Sequence, residues 1–311
     1  MISWRYHIVS IVAVILAFGL GILAGSSVVN ERFIHDLQLN YDEAIRERNA
    51  ALADVSLRDR FLAELQPTLV QDRLLGRDVV VVTMEGIERP AQPAVEPLTS
   101  AGAEVLASLR LTRQLAEPGA ADGVEALQQI LATSSTDPAV LADRAARALA
   151  VRLAVGPSGI DGDDLLANLL AGGFLTADRD LDQAALRSIG GVSQTVVVAA
   201  GGPKRSDVPA PSALLLPLTE RLVQLDAEVA VVGPTDDGYG LVAAVRDDAN
   251  VPDCALVTVD DIDLPIGGIA LVLAVERLLE DPDPAFLPGG DYGIDADSLV
   301  PGGDPPASCR R

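Results

Sequence analysis

From Ile8 to Val29 the chain runs for 22 residues without a charged side chain, IVSIVAVILAFGLGILAGSSVV. Wound into a helix at about 1.5 Å per residue, that stretch covers the roughly 30 Å hydrocarbon core of a bilayer. Whatever the rest of the chain folds into therefore carries a segment that water will not solvate cheaply. A cleaved signal peptide is the competing reading, and Ala24-Gly25-Ser26 would offer a peptidase small residues. The run is longer than the apolar core of such peptides, about 7 to 15 residues, so the length favours an uncleaved anchor over residues 1–30. Arg5 precedes the span, and Arg32, Arg46 and Arg48 follow it. Counting positive charges thus leaves the side of the membrane open.

Two motifs lie inside the span. Gly19-Leu20-Gly21-Ile22-Leu23-Ala24 matches a dinucleotide fingerprint by spacing, but that motif needs a strand before it and a helix after it, and this context is missing. Ala17, Gly21 and Gly25 recur every four residues on one helix face. Small residues in that register let two backbones approach closely, so they are the expected interface of a helix dimer.

Past the span the pattern changes to alternating steps of three and four. Ile34, Leu37, Tyr41, Ala44, Arg48, Ala51, Val55, Arg58, Leu62, Leu65 and Leu69 take successive seam positions of a heptad. Charges of both signs fill the positions between them, and neither glycine nor proline interrupts before Pro67. This predicts a coiled-coil stalk over 31–69, with seam residues Ile34, Leu37, Tyr41, Ala44, Ala51, Val55, Leu62 and Leu65. Arg48 and Arg58 weaken such a seam, and the other possibility is one amphipathic helix folded back on the head.

Beyond Pro67, short apolar runs alternate with helical stretches. Asp78 to Thr83, Thr195 to Ala200, Glu228 to Val232 and Ala255 to Val259 read as strands buried on both faces. Leu98 to Leu111, Ala139 to Ala154, Ala213 to Leu225 and Ile266 to Leu279 read as helices. Continuous apolar strands between helices imply an α/β head over 70–280, a three-layer, mostly parallel sheet. The tail, 281–311, is rich in proline and glycine and is expected to be flexible.

Charge and chemistry narrow the function. The chain has 23 Lys and Arg against 45 Asp and Glu, a net charge of -22, which repels phosphate backbones and argues against nucleic acid as partner. The two His and two Cys, at 7, 35, 254 and 309, are not grouped at the short spacing that a four-ligand zinc site within one chain needs. Both histidines, His7 and His35, precede the head, so the head has no histidine for a catalytic triad or proton shuttle, and no enzyme is expected. The loop Gly201-Gly202-Pro203-Lys204-Arg205-Ser206 holds the single lysine but lacks the phosphate-loop signature, and reads as a connection. Acidic clusters at Asp161-Gly162-Asp163-Asp164, Asp236-Asp237, Asp247-Asp248 and Asp260-Asp261-Ile262-Asp263 lack calcium-loop spacing. They read as helix caps and solvated turns, with weak divalent-cation binding the alternative. Cys254 reads as a buried small hydrophobe at the start of a strand. For a soft metal the candidates are Cys309, in the tail, and Cys254, which could also pair with each other in an oxidising space.

The opening Met1-Ile2-Ser3-Trp4-Arg5-Tyr6-His7, followed by Val9-Ser10 and an apolar run ending Gly21-Ile22-Leu23-Ala24-Gly25-Ser26, resembles the start of the actinobacterial MctB copper transporter family. So do Val259-Asp260-Asp261-Ile262-Asp263 and the later Asp291-Tyr292-Gly293. The resemblance implies a single-pass cell-membrane protein with its head on the extracytoplasmic side, implicated in copper homeostasis or efflux, with copper as the implied metal. It also implies an alternative, because the family includes SteB proteins, membrane-anchored coiled-coil partners of SteA in cell separation. On that reading the chain is a non-enzymatic scaffold, a homo-oligomer or a hetero-coiled-coil with a SteA-like protein. The span itself carries only Ser10, Ser26 and Ser27 as polar side chains, which offers copper no lined path.

Overall fold

The absence of helix breakers after the span has a direct result: a single helix, α1, runs from Trp4 to Val70 and takes in the expected anchor and the expected stalk without a break. The structure, a computed structural model, describes residues 4–118, 121–157, 164–252, 254–279, 289–296 and 298–301. Within its helices it does not extend to the side chains of residues 5, 24–36, 121 and 122. The chain divides into two compact units, Met1–Arg60 and Phe61–Arg311.

The first unit is helix alone. Tyr6–Leu23 is apolar and wholly exposed along its length, and space is open around the Cα of both Gly19 and Gly21. Farther along, the seam residues Leu37, Tyr41 and Val55 are 59%, 66% and 52% exposed, and Ala44 and Ala51 are exposed as well. Helix and apolar stripe are therefore present, while a coiled coil is a matter of partnership that one chain does not display. The side chains of Gly25's neighbours and of Ile34 and His35 lie outside the described residues.

The second unit starts inside α1. Leu62 packs against a core cluster of the head and Val70 is fully buried in it. The head thus claims the end of the expected stalk, and Leu62 serves its core.

At the centre stand β1 (Asp78–Met84), β4 (Gln194–Ala199) and β5 (Glu228–Val232), valine-rich and buried on both faces. With β2 (Glu104–Leu111), β3 (Leu175–Ala177), β6 (Val257–Val259) and β7 (Gly290–Tyr292) they form one sheet in the order β3-β2-β1-β4-β5-β6-β7. Every neighbouring pair is parallel except β2 and β3. One face packs α5 (Pro138–Val155), α6 (Leu165–Ala171), α8 (Leu215–Gln224) and α9 (Leu241–Arg246) against Val80, Val82, Val196 and Val231. The other packs α2 (Ala91–Ser100), α10 (Pro265–Leu279) and the end of α1 against Val79, Val81, Val197 and Val232. The expected mixed, mostly parallel, three-layer head is what forms.

Two readings need correction. Leu98 to Leu111 is not one helix: α2 stops at Ser100, Gly102 turns with φ +87°, and Glu104–Leu111 continues as β2. The apolar residues on either side of that glycine mimic one helical period, whereas Leu109 and Leu111 face one side of the sheet and Ser108 and Arg110 the other. The sheet also extends past residue 280, since β7 pairs with β6 through Tyr292 and Val259. Of the expected flexible tail, residues 281–288, 297 and 302–311 lie outside the described residues.

Candidate functional site

The strand order reverses between β1 and β4, and open α/β sheets bind ligands outside the carboxyl ends of their strands at such a point. Here that crevice is filled. The Gly201 N–H donates to the Ile87 carbonyl at 3.2 Å and the Gly238 N–H to the Gly202 carbonyl at 2.9 Å. The Arg205 N–H donates to the Tyr239 hydroxyl at 2.9 Å, and its guanidinium holds Asp207 at 2.7 Å. A Cβ at Gly201 would collide with Pro234 and with Asp237. The loop that carries Lys204 is bonded down on its neighbours, as a connection is.

The acidic clusters separate by role. Asp164 accepts from the Leu166 N–H and caps α6, while its carboxylate takes the buried Arg152 at 2.5 Å. Arg152 also donates to the carbonyls of Ile189 and Leu186. Asp237 accepts from the N–H groups of Tyr239 and Leu241, each at 3.1 Å. Asp263 accepts from the N–H and hydroxyl of Thr235 at 2.7 and 3.0 Å. These carboxylates are spent on backbone and side-chain donors, which accounts for their positions at turns and helix starts. Asp161 and Asp163 lie outside the described residues.

The densest polar grouping is at the β6–β7 corner. Arg246, at the end of α9, donates to Asp260 at 2.7 Å, to the Thr258 hydroxyl at 2.8 Å and to the Tyr292 carbonyl at 3.1 Å. Thr258 in turn donates to Asp291 at 2.7 Å, and Asp260 accepts from the N–H groups of Ile294 and Asp295 at 2.7 and 3.1 Å. Beside this knot Asp261 is fully buried, and neither carboxylate oxygen has a hydrogen-bond partner among the described residues. Burial, with the charge of Asp260 added to it, pushes its pKa up to about 6.

Cys254 opens onto the same corner, with φ +60°. It lines a cavity of about 20 Å³, room for a single water, together with Arg246, Thr258 and Asp291. Cys254 is disulfide-bonded, and in that state its sulfur is not the thiolate that binds a soft metal. Cys309, the only other cysteine of the sequence, lies outside the described residues. Among the described residues no group of three or more His, Cys, Asp and Glu side chains is arranged to hold a metal ion. Sequence reasoning missed the Arg246 knot and the burial of Asp261. The arginine gives no local signal, since its partners are 12 to 46 residues away.

A doubly wound α/β head on an apolar amino-terminal helix defines the class: a head domain with a helix long and apolar enough to cross a membrane. The chain belongs to the MctB family, described as "Copper transport outer membrane protein, MctB", which it matches over residues 1–301. Proteins called "Copper transporter MctB" from Mycobacterium tuberculosis and Mycobacterium bovis are 27% identical to it over 303 residues. The match covers 90% of this chain and 93% of theirs.

Proposed function

We propose that the chain is a single-pass envelope protein that serves copper homeostasis from the outer side of the cell membrane, as an anchored scaffold and not as a conduit. The observation that carries this is the exposed apolar run Tyr6–Leu23, which needs lipid or another helix to cover it. An extracytoplasmic head agrees with the disulfide at Cys254, since such bonds persist in oxidising spaces. A scaffold agrees with the way the head's polar side chains are bonded to one another, which leaves copper few soft ligands. Copper enters as the family's cargo, and nothing along one span would conduct it.

Self-association has two surfaces available. Ala17, Gly21 and Gly25 would let two spans meet closely, and Leu37, Tyr41, Ala44, Ala51 and Val55 form a stripe that suits a second helix, from another copy or a SteA-like partner. Should copper be held at all, the disulfide at Cys254 would have to be reduced first, and thiolates of Cys254 and Cys309 shared within a chain or between two.

Two measurements test the reading. Reporter fusions placed after residue 70 should be active outside the cytoplasm, and activity confined to the cytoplasm would reject the topology. Titration of the purified full chain with Cu(I) against a competing chelator should show weak, unselective binding. Tight one-to-one binding lost in Cys309→Ser would instead make the chain a copper carrier in its own right.

A further inference from the structure

A second cavity, of about 290 Å³, opens between the first turn of α2 and the β1–β2–β3 edge of the sheet. Register puts its floor together: Thr83 of β1 lies beside Arg110 of β2, and both point to the α2 face. Thr83 is 3% exposed, and its hydroxyl has no hydrogen-bond partner among the described residues. Glu88, in the turn before α2, buries one carboxylate oxygen that likewise has none among them. Arg110 makes no ion pair or hydrogen bond among the described residues. A buried hydroxyl and a buried carboxylate oxygen left unmatched are costly, and that cost falls when a ligand supplies the missing partner.

We propose that this cavity binds a small zwitterion, a free amino acid or a dipeptide. Glu88 and Arg110 line one space without pairing with each other, so each lacks a counter-ion there, and a ligand that satisfies both must carry both charges. Arg205, whose field reaches Glu88, is engaged with Asp207. Asp178 also lines the cavity; its carboxylate accepts from the Ser108 N–H at 2.9 Å and makes no ion pair with Arg110 among the described residues. The anionic end rests on Arg110 and on the Thr83 hydroxyl, which can donate to a carboxylate. At the cationic end, Gln92 gives its amide N–H to Glu96 at 3.2 Å, which leaves its carbonyl oxygen to accept from an ammonium beside Glu88. Val95 and Ala177 form the apolar part of the wall, enough for a methyl or a short aliphatic side chain. The volume sits at the low end for ligand pockets, roughly 300 to 1,000 Å³, and suits one or two residues, not a longer peptide.

Calorimetric titration of the full chain in detergent tests this, with L-alanine and dialanine as probes and acetate and ethylammonium as single-charge controls. One of the zwitterions should bind one-to-one, with both controls at least tenfold weaker. Arg110→Gln and Glu88→Gln should each weaken that binding at least tenfold while the unliganded chain melts at a temperature no lower than before, since Glu88→Gln relieves an unmatched buried carboxylate. Arg110 is exposed, so its variant folds, and Thr83→Val adds a loss of several-fold through the hydroxyl alone. No binding by either zwitterion, controls as tight as the zwitterions, or affinity indifferent to Arg110→Gln would each overturn the assignment.

Discussion

A buried Asp261 beside a charged Asp260 costs the fold stability at neutral pH. Its pKa rises from 3.8 to about 6 on folding, so the native state holds that proton more tightly than the unfolded chain. Below about pH 4 both states are protonated and the penalty is absent. As pH climbs from about 4 to about 6 the unfolded chain ionises first, and stability falls by about 3 kcal/mol, then levels. Asp261→Asn removes the charge and should stabilise the head by about that much at pH 7.5 and by nearly nothing at pH 3.5, read by urea unfolding at both values. Arg152 poses the opposite case, since it is buried with its charge met by Asp164 and two carbonyls. Arg152→Leu strands those acceptors and should cost about 3 kcal/mol in the same assay. Neither residue stands out in the sequence. An aspartate in a run of aspartates reads as solvated, and nothing near Arg152 announces that it is inside.

At the scale of elements, legibility followed burial. β1, β4 and β5 could be read because a strand covered on both faces is apolar throughout, and the Val79–Val82 run is too short for a helix. β3 and β7, three residues each, carry no period to detect, and β2 was hidden behind α2 because Gly102 is the one break between them. Thr83 and Arg110 belong to different strands, and only their register joins them. The long helix was visible from its lack of breakers, but the point where it becomes part of the head was not. That point has a test. A chain starting at Phe61 keeps Leu62 and Val70 in the second core cluster, whereas one starting at residue 71 loses both. The longer fragment should be more stable by at least about 2 kcal/mol, seen as a higher melting temperature.

For the molecule as a whole, charge is divided as sharply as structure. Residues 67–311 hold 17 basic and 37 acidic side chains, and residues 1–66 hold 6 and 8. A head of net charge -20 is repelled by anionic lipid over about a Debye length, about 8 Å at physiological salt. A fragment from Phe61 should therefore stay in the supernatant when sedimented with phosphatidylglycerol vesicles, and the full chain should pellet with them. Binding of the fragment alone would mean that the head carries a lipid surface of its own.

Both margins of the sheet are strands of three residues, β3 on one side and β7 on the other. A chain tied to a bilayer diffuses in two dimensions, where neighbours meet far more often than the same number of molecules would in solution. Long open margins would let adjacent heads zip together into one continuous sheet. Margins this short offer a neighbour only a few backbone partners before they run out. If the chain is anchored as proposed, crowding on the membrane can bring these proteins side by side while each head stays separate, and any clustering would be left to the helices.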